Sequence, residues 1–199
     1  MLNRRKLMVG SWEVKVAVGG MPEKVATAFC EVFGNMVGAE YTPIAYLGSQ
    51  VVNGINHAIL AEQLLVTGKD TKNVVLIVLN EREEKFTIVN IERVVEGGAG
   101  LGGTVVDVKT AIPEDAKAAF DAVLGNNVGA TIKPFALLAT QVVKGTNFVF
   151  AAEVTPVVPN AKTNVEIVTV NALTKNAAFA DVFKSGVQVA LGKPLGEWP

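Results

Sequence analysis

The stretch PEKVATAFCEVFGNMVGAEYTPIAYLGSQVVNGINHAILAE, residues 22–62, returns 91 positions later as PEDAKAAFDAVLGNNVGATIKPFALLATQVVKGTNFVFAAE, residues 113–153. Twenty of the 41 paired positions are identical and no gap is needed. Self-similarity of this strength at a fixed offset marks a duplicated structural unit. The expected organisation is a first unit over 1–96, a linker over 97–103 and a second unit over 104–199. The linker, Gly-Gly-Ala-Gly-Leu-Gly-Gly, is flexible by composition.

Each copy reads alike. Residues 12–18 and 104–108 alternate apolar and polar side chains, as a half-buried strand does. Pro22 and Pro113 then open a helix, each followed by a glutamate that suits the helix N-terminal dipole. Val25, Phe29, Val32 and Phe33 form one apolar stripe, repeated as Ala116, Phe120, Val123 and Leu124. Gly34-Asn35 and Gly125-Asn126 supply an expected left-handed stop. Apolar, β-branched segments follow at 43–52, 55–66, 73–80 and 86–95, with joints short enough to require antiparallel pairing. The expected class is therefore α+β: two tandem β-α-β-β-β-β units, each one helix packed on an antiparallel sheet around its own core.

Composition excludes much. Ten basic and eleven acidic residues up to Glu96, then eight and eight, leave no basic patch for nucleic acid or an anionic membrane. One histidine, His57, and one cysteine, Cys30, cannot build a Cys/His metal site or a disulfide framework. No metal or other cofactor is expected. No apolar run reaches the ~18 residues of a membrane span, and the basic start (Arg4, Arg5, Lys6) has no signal-peptide core after it. A cytoplasmic protein is expected, although a signal peptide already removed would leave no trace.

The informative segments are Gln50-Val51-Val52-Asn53-Gly54 and Gln141-Val142-Val143-Lys144-Gly145. Asn53-Gly54 is a strong hairpin signal, predicting a type I′ turn, and Lys144-Gly145 is a weaker version. Paired valines entering a turn are unusual. One account puts a valine of each pair in the core. The other presents them on a rigid tip, where little entropy is lost on docking.

This Gln-x-Val-x-Gly pattern, present twice, resembles the signature of the cystatins, protein inhibitors of papain-like cysteine proteases. Residues 140–148 look like the disulfide-free stefin branch. The Pro-Glu helix start 28 residues upstream and the unit length also fit. The resemblance covers nearly the whole chain and implies a mechanism. The hairpin and an N-terminal trunk would wedge into the protease cleft without offering a bond to cut. It also implies trunk residues, an apolar residue and a glycine some forty positions before the hairpin. Val9-Gly10 precede Gln50, and Leu101-Gly102 precede Gln141, at that spacing. The family's second hairpin carries proline or Pro-Trp. The corresponding loops here, 80–85 and 171–176, have neither.

Other motifs have plainer accounts. Gly98, Gly100 and Gly103 satisfy G-x-G-x-x-G, but a strand rather than a helix follows. Gly192-Lys193-Pro194 lacks the Walker spacing, and Trp198 lies beyond the last expected strand. Cys30 is read as small filler at the margin of the core, and His57 as a half-buried strand residue. Cys30 and His57 should lie too far apart for a thiol catalyst. Glu62 and Glu153 belong to separate copies, so they cannot converge as paired acids.

The sequence reading is a non-enzymatic tandem inhibitor with a papain-like cysteine protease as partner. The alternative is a non-inhibitory cystatin-fold binding or assembly module, favoured by the altered second hairpin. The low charge fraction implies further buried surface, with the two units packed together or the protein self-associating. Exposed sheet edges make a strand-swapped dimer a hazard.

Overall fold

A computed structural model describes residues 10–66, 71–98 and 102–184. The first copy contains β1 (Trp12–Val18), α1 (Glu23–Phe33), β2 (Ala39–Val52), β3 (Gly54–Leu65), β4 (Thr71–Arg82) and β5 (Lys85–Glu96). The second contains β6 (Thr104–Lys109), α2 (Glu114–Leu124), β7 (Ala130–Val143), β8 (Gly145–Pro156), β9 (Asn164–Asn171) and β10 (Asn176–Asp181). The strands form two five-stranded antiparallel sheets, ordered β1-β2-β3-β4-β5 and β10-β9-β8-β7-β6.

Strand β4 shows how the sheets are used. Its residues 73–79 are buried without a break, so both of its faces are covered. Alternation sends Val75, Ile77 and Leu79 to one face, against Val25, Phe29 and Phe33 of α1. Val74, Leu76 and Val78 go to the other face, into a cluster shared with Ala136, Leu138, Val149 and Ile167 of the second sheet. The helix α2 closes the far side, where Ala116 and Phe120 meet Leu137, Phe150, Val168 and Val170. Burying each such Val, Leu or Ile contributes about 1.5–3 kcal/mol, and the largest cluster is the one between the sheets.

The expected α+β class is thus corrected. The protein is mostly β: ten strands up to 14 residues long, against two helices of 11 residues each among the described residues. Its largest core is sheet on sheet and shared by both copies, lying between the two smaller clusters that each helix makes with its own sheet. The physical reason lies in the strands. Four consecutive strands with apolar residues on both faces cannot leave one face in water, and the duplicate sheet covers it.

Two local expectations are also corrected. Gly34 and Gly125 end their helices in right-handed geometry, φ −63° and −61°, each N–H bonding back to Cys30 or Asp121. Pro22 and Pro113 stand at the caps just before the helices begin.

Contacts at two corners fix how the sheets lie on each other. Trp12, at the end of the first sheet that carries the β2–β3 hairpin, stacks on Phe183, just past β10, with ring centroids 4.7 Å apart. Near the opposite end of the first sheet, Gly98 donates its N–H to the Thr104 carbonyl at 3.0 Å. Thr104 pairs with Gln141 at the hairpin end of the second sheet. Each hairpin end therefore meets the far end of the other sheet, and the two hairpin ends face in different directions.

Candidate functional site

At the first hairpin end, Val52 pairs with Gly54 across Asn53 alone. The expected type I′ turn is corrected, because Gly54 has φ +97° while Asn53 stays in ordinary space. A Cβ at Gly54 would meet the Glu81 carbonyl oxygen at 2.4 Å, so glycine is required by contact as well as by φ. At the second end, a Cβ on Gly145 would meet Leu173 Cβ at 2.9 Å. The glycine of each motif therefore lets the second hairpin of its sheet close against the first.

The motif valines are not core residues. Val51 is half-buried, whereas Val52, Val142 and Val143 are exposed, Val142 at 72%. Asn53 and Lys144 stand exposed at the tips. Gly10 and Gly102 are described with φ +93° and +78°, while their trunk neighbours Val9 and Leu101 lie outside the described residues.

The two glutamines turn inward. Gln50 donates from Nε2 to the Gly10 carbonyl at 2.9 Å, and its Oε1 accepts from Asn56 Nδ2 at 2.9 Å. Asn56 in turn accepts from Asn80 Nδ2 at 2.8 Å. The second copy repeats the chain: Gln141 to the Gly102 carbonyl at 2.9 Å, Asn147 to Gln141 at 3.0 Å, Asn171 to Asn147 at 2.9 Å. Asn171 Nδ2 also reaches the Lys144 carbonyl at 3.1 Å. This amide ladder runs across three strands and ties the trunk glycine to both hairpins. Gln50 and Gln141 are thus positioning residues that hold the tip's shape. Sequence reasoning missed Asn80 and Asn171, although both recur at the 91-residue offset on strands rather than in turns.

The second hairpins differ. In the first copy Arg82 pairs with Lys85, and Glu83 and Glu84 occupy the turn with φ 51° and 61°. That is the type I′ geometry, carried by two glutamates. In the second copy Leu173, 65% exposed, leans on Gly145 beside Val142 and Val143. That turn therefore carries one exposed large apolar side chain.

Beside the first hairpin end, His57 is buried rather than half-buried. Its Nδ1 lies 3.0 Å from the Tyr46 hydroxyl and its Nε2 lies 3.2 Å from Glu81, which also pairs with Lys24 at 3.1 Å. The Lys24 ammonium holds the Glu81 carboxyl below its ordinary value against the opposing effect of burial, and His57 adds to the lowering. Burial raises the Tyr46 phenol. Cys30 is exposed on α1, which corrects its reading as core filler. His57 has Tyr46 and Glu81 as its partners, so no thiol–imidazole pair forms. Glu62 pairs with Lys72 at 3.0 Å. Among the described residues no cluster of His, Cys, Asp or Glu is arranged to hold a metal ion. No helix among them is long and apolar enough to cross a membrane.

Compared with family models, with curated proteins and with solved structures, the chain matches none.

Proposed function

We propose that the protein is a reversible, non-enzymatic inhibitor of papain-like cysteine proteases, working in the cytoplasm by inserting its hairpin ends into the substrate cleft. The observation that carries this reading is the exposure of Val52, Val142 and Val143 on tips whose backbone is fixed from behind by the amide ladder. A tip already locked in shape loses little entropy on binding, so its apolar surface converts efficiently into affinity. The resemblance of both motifs to the cystatin signature supplies the partner class. Gly10 and Gly102, held by the glutamines, lie at the same ends of the sheets as the tips.

The test is a titration into papain with a fluorogenic peptide substrate, alongside Val52→Asp and Val143→Asp. Dose-dependent inhibition by the parent, relieved when both substitutions are combined, is expected. Papain left untouched at micromolar excess of the parent would overturn the reading.

A further inference from the structure

Because the two hairpin ends face in different directions and, among the described residues, each keeps exposed valines (Val52 at one, Val142 and Val143 at the other), we propose that one chain holds two papain-like protease molecules at the same time, the second-copy end binding the tighter. The inference rests on the wedge reading above and adds stoichiometry and rank order to it.

Three observations support it. Trp12 against Phe183 and Gly98 against Thr104 place each hairpin end beside the far end of the other sheet, so a body seated on one tip is not seated on the other. A typical interface takes about 800 Å² from each partner. Two such footprints use only a small share of the 11780 Å² of accessible surface. The sheets are also long enough to separate the ends, since a strand of 14 residues such as β2 spans roughly 46 Å at ~3.3 Å per residue.

The ends are chemically unlike, which sets the order. The second-copy end presents Val142, Val143 and Leu173 with Lys144 and Lys175 as its charges. The first presents Val52 and Ile55 beneath a turn of Arg82, Glu83, Glu84 and Lys85. Seating that turn against a cleft requires stripping water from four charges, whereas Leu173 adds apolar contact.

The experiment is light scattering on size-separated mixtures with papain whose active-site thiol has been carboxymethylated, so that nothing is cleaved. The parent in papain excess is expected at two papains per chain, Val52→Asp and Val143→Asp at one each, and the double variant at none. Calorimetry should then give Val52→Asp, which keeps the second-copy end, at least about tenfold tighter binding than Val143→Asp. Circular dichroism and melting curves matching the parent confirm that the exposed substitutions leave folding intact. One papain on the parent with one on each single variant would show mutually exclusive ends and overturn simultaneous binding while sparing the wedge. Loss of all binding in one single variant would show one working end and overturn it too. Equal or reversed affinities would overturn the rank order. A parent that binds no papain would sink the wedge itself.

Discussion

Asn171 is hydrogen-bonded on every side. Its Nδ2 donates to the Lys144 carbonyl and to Asn147, and its Oδ1 accepts the backbone N–H groups of Leu173 and Thr174 at 3.1 Å each. Only 1% of its surface is exposed, and its partner Asn147 is 5% exposed, so removing the amide would leave a buried group without its donor. Asn171→Ala should therefore destabilise the fold by about 2–3 kcal/mol in urea unfolding, the cost of orphaned buried polar groups. The counterpart Asn80→Ala, at a half-buried position, should cost about half as much. Equal, negligible losses at both sites would show that the ladder is not structural. A second residue tests electrostatics. Burial, then the neighbouring Asp181, raise the carboxyl of Glu166 on β9, against smaller effects of Lys184 and Asn164. A carboxyl raised in the folded state contributes stability that is complete below its unfolded value and lost as pH rises through its folded value. Glu166→Gln should thus be more stable than the parent at neutral pH, with the advantage vanishing below the ordinary carboxylate range. A melting-temperature series from pH 3 to 8 reads this directly, and an unchanged advantage at acid pH would refute it.

At the scale of elements, the turn between β4 and β5 holds the clearest local conflict between sequence and shape. Glu83 and Glu84 sit in left-handed space with adjacent like charges, where asparagine and glycine are the natural residues. Glu84→Gly should raise stability by about 1 kcal/mol by relieving that strain, a gain visible in the denaturant midpoint with unchanged slope. A loss would mean that the turn is held by contacts of the glutamate side chain. The sequence signals pointed to the other hairpin, because Asn53-Gly54 is the familiar turn dipeptide. There the second hairpin's backbone crowds Gly54, and the glycine serves that close approach instead of a two-residue turn. Local chemistry could not reveal this, since it depends on Glu81, 27 positions away. Helices and strands, in contrast, were legible from their periodicity to within a few residues, and the repeat made each copy a check on the other. The glutamines were legible as special but not in what they do. Their inward turn becomes visible only when Asn56, Asn80, Asn147 and Asn171 stand in register beside them.

For the whole molecule, the decisive feature is that Leu47, Leu60, Leu76, Leu138 and Ile167 belong to one cluster although they come from two copies. A sequence repeat invites the picture of two independent beads, and the glycine run between them strengthens it. What the alternation in each strand could not say is which partner takes the inner face, because a second copy, a second chain and a helix all satisfy the same pattern. The residue-level clue was the unbroken apolar run of β4, which is too apolar for a sheet with a wet face. If the shared core is the main source of stability, the copies must unfold together. Leu138→Ala, at a site with no exposed surface, should cost about 2–5 kcal/mol. That cost should appear at Trp12 as well, although Trp12 lies in the other copy. Trp12 stacks on Phe183 across the sheet boundary, so its fluorescence reports the junction, provided Trp198→Phe removes the other indole. Calorimetry of the parent should give one transition whose calorimetric and van't Hoff enthalpies agree. In the Leu138→Ala variant the Trp12 signal and the far-ultraviolet dichroism should move down together to the same new midpoint. Two transitions, or a Trp12 midpoint left at the parent value while the dichroism shifts, would mean that each copy carries its own core and that the sheet-on-sheet packing is incidental to stability.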